Sequence, residues 1–332
     1  MTKRIIILAT DNAIAGGIIT LKETFDHCNT YWRRVNAEPV DPLFECAIVS
    51  PDGKTLQTSN GYPLPSSPLR DWGNFENADA VVVASALAHD LESIRDYIVR
   101  FKPFVGPLKT FSQSGRYVGS YCSGTLVLAS TGLLDNRAAT CSWWAAGMCR
   151  QMFPAVKLNS NEVIVRDDTF ITAGAASANL NLGLTLIRHL TTERIANHMA
   201  KLLLITPNRL SQNLFSDTSV LMEHQDELIQ NIQRWIRANL KQTITLDAVA
   251  DKFALGKRTL MRRFKSSTSE TLAYYIQRLK VDEAKVLLET SRRSVQSIAQ
   301  AVGYEDVGAF RKCFIKYTSV SPNVYRKTFR VS

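Results

Sequence analysis

Over roughly the first 190 residues the apolar positions fall into short runs separated by longer stretches with helical spacing. The short runs predict strands at Ile5–Ala9, Cys46–Val49, Ala80–Ala84, Tyr117–Ser120, Val163–Val165 and Phe170–Thr172. The stretches between them predict helices at Ile19–Arg34, His89–Thr110, Gly124–Ser130 and Ala178–Leu190. Alternation of Val/Ile-rich strands with helices predicts an α/β domain, a mostly parallel sheet flanked by helices. Glu38–Trp72, rich in Pro and Ser, breaks the pattern and predicts a hairpin or long loops. A helix near Thr192–Leu204 runs into Pro207, and Asn208–Ser219 is polar and breaker-rich. That places one domain over 1–205, a linker over 206–222 and a second domain over 223–332.

In the second domain only the 3.6-residue period remains, which predicts an all-α fold. HQDELIQNIQRWIRANL opens it, with Leu228, Ile232, Trp235, Ile236 and Leu240 on one face. One short pattern then occurs twice, from Thr245 and from Ser294: a capping hydroxyl, an amphipathic stretch, a glycine-containing break and a basic second helix. This is the sequence form of a helix-turn-helix. In the first copy Leu246, Val249, Ala250 and Phe253 should bury against Leu260 and Phe264. Gly256 takes the N-cap of a helix that turns Lys257, Arg258, Met261, Arg262 and Lys265 outward. In the second copy Val295, Ile298, Ala299 and Val302 are the buried face and Gly303 makes the turn. Asp306 caps a helix whose Phe310 and Phe314 point inward, so that Gly308, Ala309, Arg311 and Lys312 face out. Arg and Lys on such faces suit phosphate contact and bidentate reading of guanine. Between the copies Leu272–Glu289 predicts one helix, cored by Ile276, Leu279, Ala284, Leu287 and Leu288 and about 27 Å long. A strut of that length can hold two reading helices near one DNA turn, about 34 Å, apart.

Charge sharpens this picture. The chain has 332 residues and a formal net charge of +10. From Glu223 onward it carries 20 Lys and Arg against 11 Asp and Glu, leaving 20 against 19 before that point. Positive charge concentrated in one domain is the footprint of a polyanion, here double-stranded DNA. The six cysteines have no zinc spacing and read as reduced thiols of a cytoplasmic protein, with no metal and no cofactor implied. No apolar run approaches a membrane span, and MTKRIIILAT reads as a first strand, not a signal peptide.

The first domain has one segment with chemistry, YVGSYCSGTLVLASTGLL. A strand leads into Cys122, Ser123, Gly124 and a helix, the form of a nucleophile elbow. A helix N-terminus at that turn should lower the thiol pKa. A cysteine nucleophile also needs a base and an orienting group. Ser123 follows the cysteine, and none of His27, His89, His189, His198 or His224 falls in a motif with it. Cys122 therefore has three readings: a pocket residue of a sensor, a buried structural thiol, or a working nucleophile.

Two resemblances now add to the reading. ALGKRTLMRRF, RLKVDEAKVLLETSRRSVQSIAQAVGYEDVGAFRKCFIKY and SPNVYR closely resemble the AraC/XylS family of transcription regulators, which implies seven helices and two helix-turn-helix units. Gly256 and Gly308 depart from it, standing where a capping Ser and a polar residue are usual. The elbow resembles the class I glutamine-amidotransferase-like superfamily with its PfpI-type proteases, and the two-domain order resembles regulators of the GlxA type. In GLLDNRAATCSWW, Ser142 stands where that group often has a His, and Gly16 and Gly17 stand where many relatives carry a carboxylate. The resemblance thus implies a ligand-sensing domain without proton-transfer groups, not an enzyme. Its pocket is expected to include Asn12, Gly16, Gly17, Ser85, Tyr121, Cys122, Ser123, Trp143 and Ser177. Related regulators sense arginine, glycine betaine or carnitine, so the effector implied is a small nitrogen-containing metabolite. Partners implied are a second copy of the chain, paired through 1–205, and RNA polymerase for an activator. The alternative function is a cysteine-dependent hydrolase or hydratase with an appended DNA-binding domain.

Overall fold

A computed structural model describes residues 1–36, 40–88, 90–206, 211–215, 226–268 and 270–330. The chain divides into two compact units, Met1–Gln212 and Asn213–Ser332.

The strands of the first unit are β1 (Lys3–Leu8), β2 (Phe44–Ser50), β3 (Leu56–Gln57), β4 (Pro63–Leu64), β5 (Ser67–Pro68), β6 (Ala80–Val83), β7 (Tyr117–Tyr121), β8 (Ala138–Ala139), β9 (Lys157–Leu158), β10 (Ile164–Asp167) and β11 (Phe170–Ala173). Its helices are α1 (Ala15–Asn36), α2 (Leu91–Ser112), α3 (Gly124–Ser130), α4 (Ala146–Met152), α5 (Asn179–Leu190) and α6 (Glu193–Leu202). Seven strands form one sheet in the order β10-β11-β7-β6-β1-β2-β5, parallel except for the β10–β11 pair. The irregular segment after α1 does contain a hairpin, β3 with β4.

Both faces of this sheet are covered, which is why its central strands read as unbroken apolar runs. Ile5, Ile7 and Val82 pack on one face with Phe25 of α1 and Leu182 and Leu186 of α5. Ile6, Leu8, Val81 and Val83 pack on the other with Tyr97, Phe101 and Phe104 of α2.

The second unit contains α7 (Glu227–Ala238), α8 (Leu246–Lys252), α9 (Lys257–Thr268), α10 (Leu272–Thr290), α11 (Val295–Ala301), α12 (Val307–Thr318) and α13 (Pro322–Phe329). These seven helices have two separate apolar clusters. Ile229, Ile232, Ile236, Val249, Ala250, Leu260 and Phe264 form the first, around α7, α8 and α9. Val295, Ile298, Ala299, Val302, Phe310 and Phe314 anchor the second, around α11, α12 and α13. Helix α10 serves both, giving Leu272, Tyr275, Ile276 and Leu279 to the first and Val281, Ala284 and Leu288 to the second.

The helix starts are satisfied as the sequence requires. Thr245 accepts from the Ala248 N–H, Ser294 from Ser297, and Asp306 from both Gly308 and Ala309. Each cap ties down a helix-terminal donor that has no partner inside the helix. Glycine was expected in each break, and Gly303 is indeed left-handed with φ 78°. A Cβ there would lie 2.8 Å from the Lys241 carbonyl oxygen. In the first unit the left-handed residue is Ala254, with φ 49°, and Gly256 takes the expected N-cap position, its carbonyl accepting the Leu260 N–H as α9 begins.

The division between the two units, after Gln212, falls within the segment expected as a linker, 206–222. Ser211 and Gln212 are buried in the first unit and Leu214 in the core of the second. Residues 207–210 and 216–225, which include Glu223 and His224, lie outside the described residues, as does His89.

Candidate functional site

Cys122 occupies the turn between β7 and α3 with φ 55°, a left-handed value for a residue with a side chain. The strain is held by neighbours on every side. Its N–H is shared between the carbonyls of Ala173 (3.0 Å) and Gly174 (2.7 Å). Gly124 follows because the elbow runs against β6: a Cβ there would fall 2.5 Å from the Ala84 oxygen. A strained residue so braced at the carboxyl ends of a parallel sheet is where α/β proteins place ligand chemistry.

The surroundings differ from those of an activated nucleophile. Cys122 is 4% exposed, and Ser142 Oγ donates to its sulfur at 3.1 Å. Burial pushes the thiol pKa up, and hydrogen bonds from Ser142 and Ser123 offset part of the rise. This overturns the expected lowering by the helix N-terminus: desolvation of the thiolate outweighs a seven-residue helix. Of the described histidines, His189 and His198 stack on Tyr117 and Tyr31, and His27 is exposed on α1.

The other expected pocket residues separate into groups. Gly17, Ser85, Tyr121 and Ser123 are buried around Cys122. The Tyr121 ring lies over Gly17, where a Cβ would come within 2.8 Å of it. Ser123 was expected to face a ligand, but its hydroxyl donates to the Ala86 carbonyl and accepts the Ala86 N–H, so it braces the elbow. Asn12, at φ 68°, donates from Nδ2 to the Leu87 carbonyl and ties the loop after β1 to the loop after β6. Gly16 is exposed in the first turn of α1, Trp143 is half-buried, and Ser177 is exposed in the turn after β11. Ser142, Gly174 and Gln212, which were not among the expected pocket residues, complete the surroundings of the thiol.

A raised thiol pKa has a measurable consequence. Alkylation of Cys122 by iodoacetamide should be slower at pH 7 to 8 than that of an exposed thiol, with its rate profile displaced to higher pH, since the thiolate is the nucleophile. Cys28 and Cys46 are pushed up to about 12 by burial. The folded chain therefore keeps protons that the unfolded chain releases, so stability should fall as pH rises past about 9. Rates followed by peptide mass at a series of pH values check the first statement. A rate profile centred below pH 8 would contradict it.

In the second unit Lys257, Arg258, Met261, Arg262 and Lys265 are all exposed on α9. Lys257 is partly engaged, with its Nζ 2.7 Å from Asp247. Arg263, on the flank, is bidentate to Asp226, the residue that caps α7. On α12, Ala309, Arg311 and Lys312 are exposed. Gly308 is only half-buried and its N–H is taken by Asp306, so it builds the cap instead of presenting a group outward. Lys316, one turn beyond Lys312, is exposed as well and extends the basic face.

The fold and these faces define a class: a DNA-binding transcription regulator with tandem helix-turn-helix units behind an α/β domain. Comparison with known proteins agrees. Residues 43–189 match the DJ-1/PfpI family and residues 249–328 match a helix-turn-helix domain. The HTH-type transcriptional regulator GbdR of Pseudomonas aeruginosa is 23% identical over 289 residues, covering 86% of this chain and 75% of that protein. CdhR, an HTH-type transcriptional regulator of the same organism, is 24% identical over 284 residues, covering 85% and 81%. Drosophila melanogaster DJ-1beta, at 15% identity, superposes with a TM-score of 0.50 over 62% of this chain and all of that one, a likeness of fold. In its two matched domains and their order the chain resembles the AraC-type regulators that carry a DJ-1/PfpI domain before their DNA-binding domain.

Proposed function

We propose that the chain is a cytoplasmic, ligand-responsive regulator that senses a small nitrogen-containing metabolite near Cys122 and reads two major-groove segments. The observation that carries this reading is the pair of capped helix-turn-helix units, each with an exposed Arg/Lys face. No helix among the described residues is long and apolar enough to cross a membrane. A homodimer formed by the first domain, and contact with RNA polymerase if transcription is activated, complete the proposal. The half-buried Trp143 gives the effector site a π face suited to a cation.

The sensing role of Cys122 is supported by its partner. Ser142 is a hydroxyl and not a base, and burial favours the neutral thiol. Cys122→Ser should keep the fold and DNA binding. Turnover of an amide, nitrile or aldehyde that vanished in Cys122→Ser would instead establish the hydrolase alternative. On the DNA side, Arg262→Ala or Arg311→Ala should cost about 1–3 kcal/mol at a cognate site if the side chain reads a base. An equal loss on every sequence would assign that side chain to phosphate. Competition binding with cognate and scrambled duplexes separates the two, and no duplex binding at low salt by the full chain would refute the proposal. A panel of amino acids and quaternary amines tests the effector: a true ligand at 100 times its Kd should add about 2.7 kcal/mol to stability.

A further inference from the structure

Gln212 lies in a polar, breaker-rich segment and is nevertheless 3% exposed. An amide is buried at a cost unless its donors and acceptor are satisfied, and here they are. Nε2 lies 2.9 Å from the carbonyls of Cys141 and Glu162, with Thr140 Oγ1 and the Ser160 carbonyl also within reach. Oε1 accepts the Trp143 N–H at 3.2 Å. The amide therefore grips the chain on both sides of Ser142, the residue whose hydroxyl donates to Cys122. Gln212 also covers Gly174, where a Cβ would lie 2.3 Å from the Gln212 side chain. The carbonyl of that glycine takes the Cys122 N–H and lies 3.3 Å from Ser142 Oγ. Ser142, which donates to the thiol, and Gly174, which takes the Cys122 N–H, thus both lean on one side chain.

Gln212 is also the last residue of its unit. Asn213 begins the next, its carbonyl accepting from Lys285 Nζ on α10 at 3.0 Å, and Leu214 enters the second apolar cluster. We propose that Gln212 is a positioning residue that couples the Cys122 site to the DNA-binding unit. Seated, it holds Ser142 against the thiol; a change at Cys122 that displaces Ser142 or Gly174 unseats it and alters how the chain enters the DNA-binding unit. This rests on the regulator reading above.

The full chain provides the test, with two readouts: alkylation of Cys122 by iodoacetamide, and affinity for a duplex selected from a random pool by the unmodified chain. Gln212→Ala removes several hydrogen bonds and should speed alkylation about tenfold. It should also move the midpoint of the alkylation-pH profile down, because the opened site is wetter. Duplex affinity should change about fivefold or more, the lower range of measured couplings between sites. Gly174→Ala should shift both readouts in the same direction by pushing the amide out. Gln212→Asn, which draws the amide back by one carbon, should shift both by less. Gly174→Ala alone should also lower the Tm; in the double variant Gly174→Ala with Gln212→Ala the new Cβ has room, so the Tm should recover while both readouts stay altered. Faster alkylation with unchanged duplex affinity would overturn the coupling, and so would Gln212→Ala leaving both unchanged. Failure of the unmodified chain to bind any duplex would instead sink the regulator reading and this proposal with it.

Discussion

Raising the salt from about 50 to about 200 mM should weaken binding of the full chain to duplex DNA by roughly a thousandfold. Each phosphate neutralised by a cation releases a condensed counterion, and the slope of log K on log salt is about −0.9 per phosphate. Six exposed cations line the two faces: Arg258, Arg262 and Lys265 on α9, and Arg311, Lys312 and Lys316 on α12. Engaging all six gives a slope of about −5, and a fourfold rise in salt then costs about three decades. Lys257 is left out because it is partly engaged by Asp247. Fluorescence anisotropy at a series of salt concentrations measures the slope directly. A value of about −3 or shallower, which three contacts would give, would mean that only one face engages, and the two-segment reading would fall.

A second large effect is expected from Phe314→Ala. Phe314 is fully buried between Phe310 and Tyr325, with ring centroids 5.7 and 5.5 Å away. Truncating a buried phenylalanine costs about 3–5 kcal/mol, a large share of the 5–15 kcal/mol that holds a typical domain together. Because the two apolar clusters of the DNA-binding unit are separate, the damage should concentrate in α11, α12 and α13. The variant should then protect one major-groove segment in a footprint, where the unmodified chain protects two. Phe264→Ala, in the first cluster, should leave the opposite segment protected. Loss of both segments together in either variant would show that the two halves stand or fall as one.

The elements that could be read from sequence are those whose signal is local. The strands of the central sheet announced themselves through unbroken Val and Ile, and both helix-turn-helix units through caps and spacing. The elbow was legible because a strand ending in Tyr121-Cys122-Ser123-Gly124 leaves few other conformations. What stayed hidden depends on distant partners. Ser123 looked like a pocket donor, but its hydroxyl is consumed by Ala86, 37 residues away. Gln212 looked like linker because nothing in its neighbours signals that the amide returns to Cys141 and Trp143. Lys280 and Lys285 of α10 are buried and donate to the carbonyls of Gly303 and Asn213, partners that nothing in the helix's own sequence signals. The thiol pKa was misjudged for a related reason: the turn is visible in sequence, but the depth of its burial is not.

Helix α10 fixes an angle as well as a distance. An α-helix advances about 1.5 Å and turns about 100° with each residue. Tyr275 and Leu279 point into one core, Val281 and Leu288 into the other, so the relative heading of the two reading helices is set by the number of residues between them. One residue more would swing the second head about 100° off the groove. Only additions near whole turns keep both cores facing their partners, and a turn is about 5.4 Å, against about 3.4 Å per base pair. The protein is therefore a gauge with coarse graduations: the separation between the segments it reads can change in steps, and not by sliding.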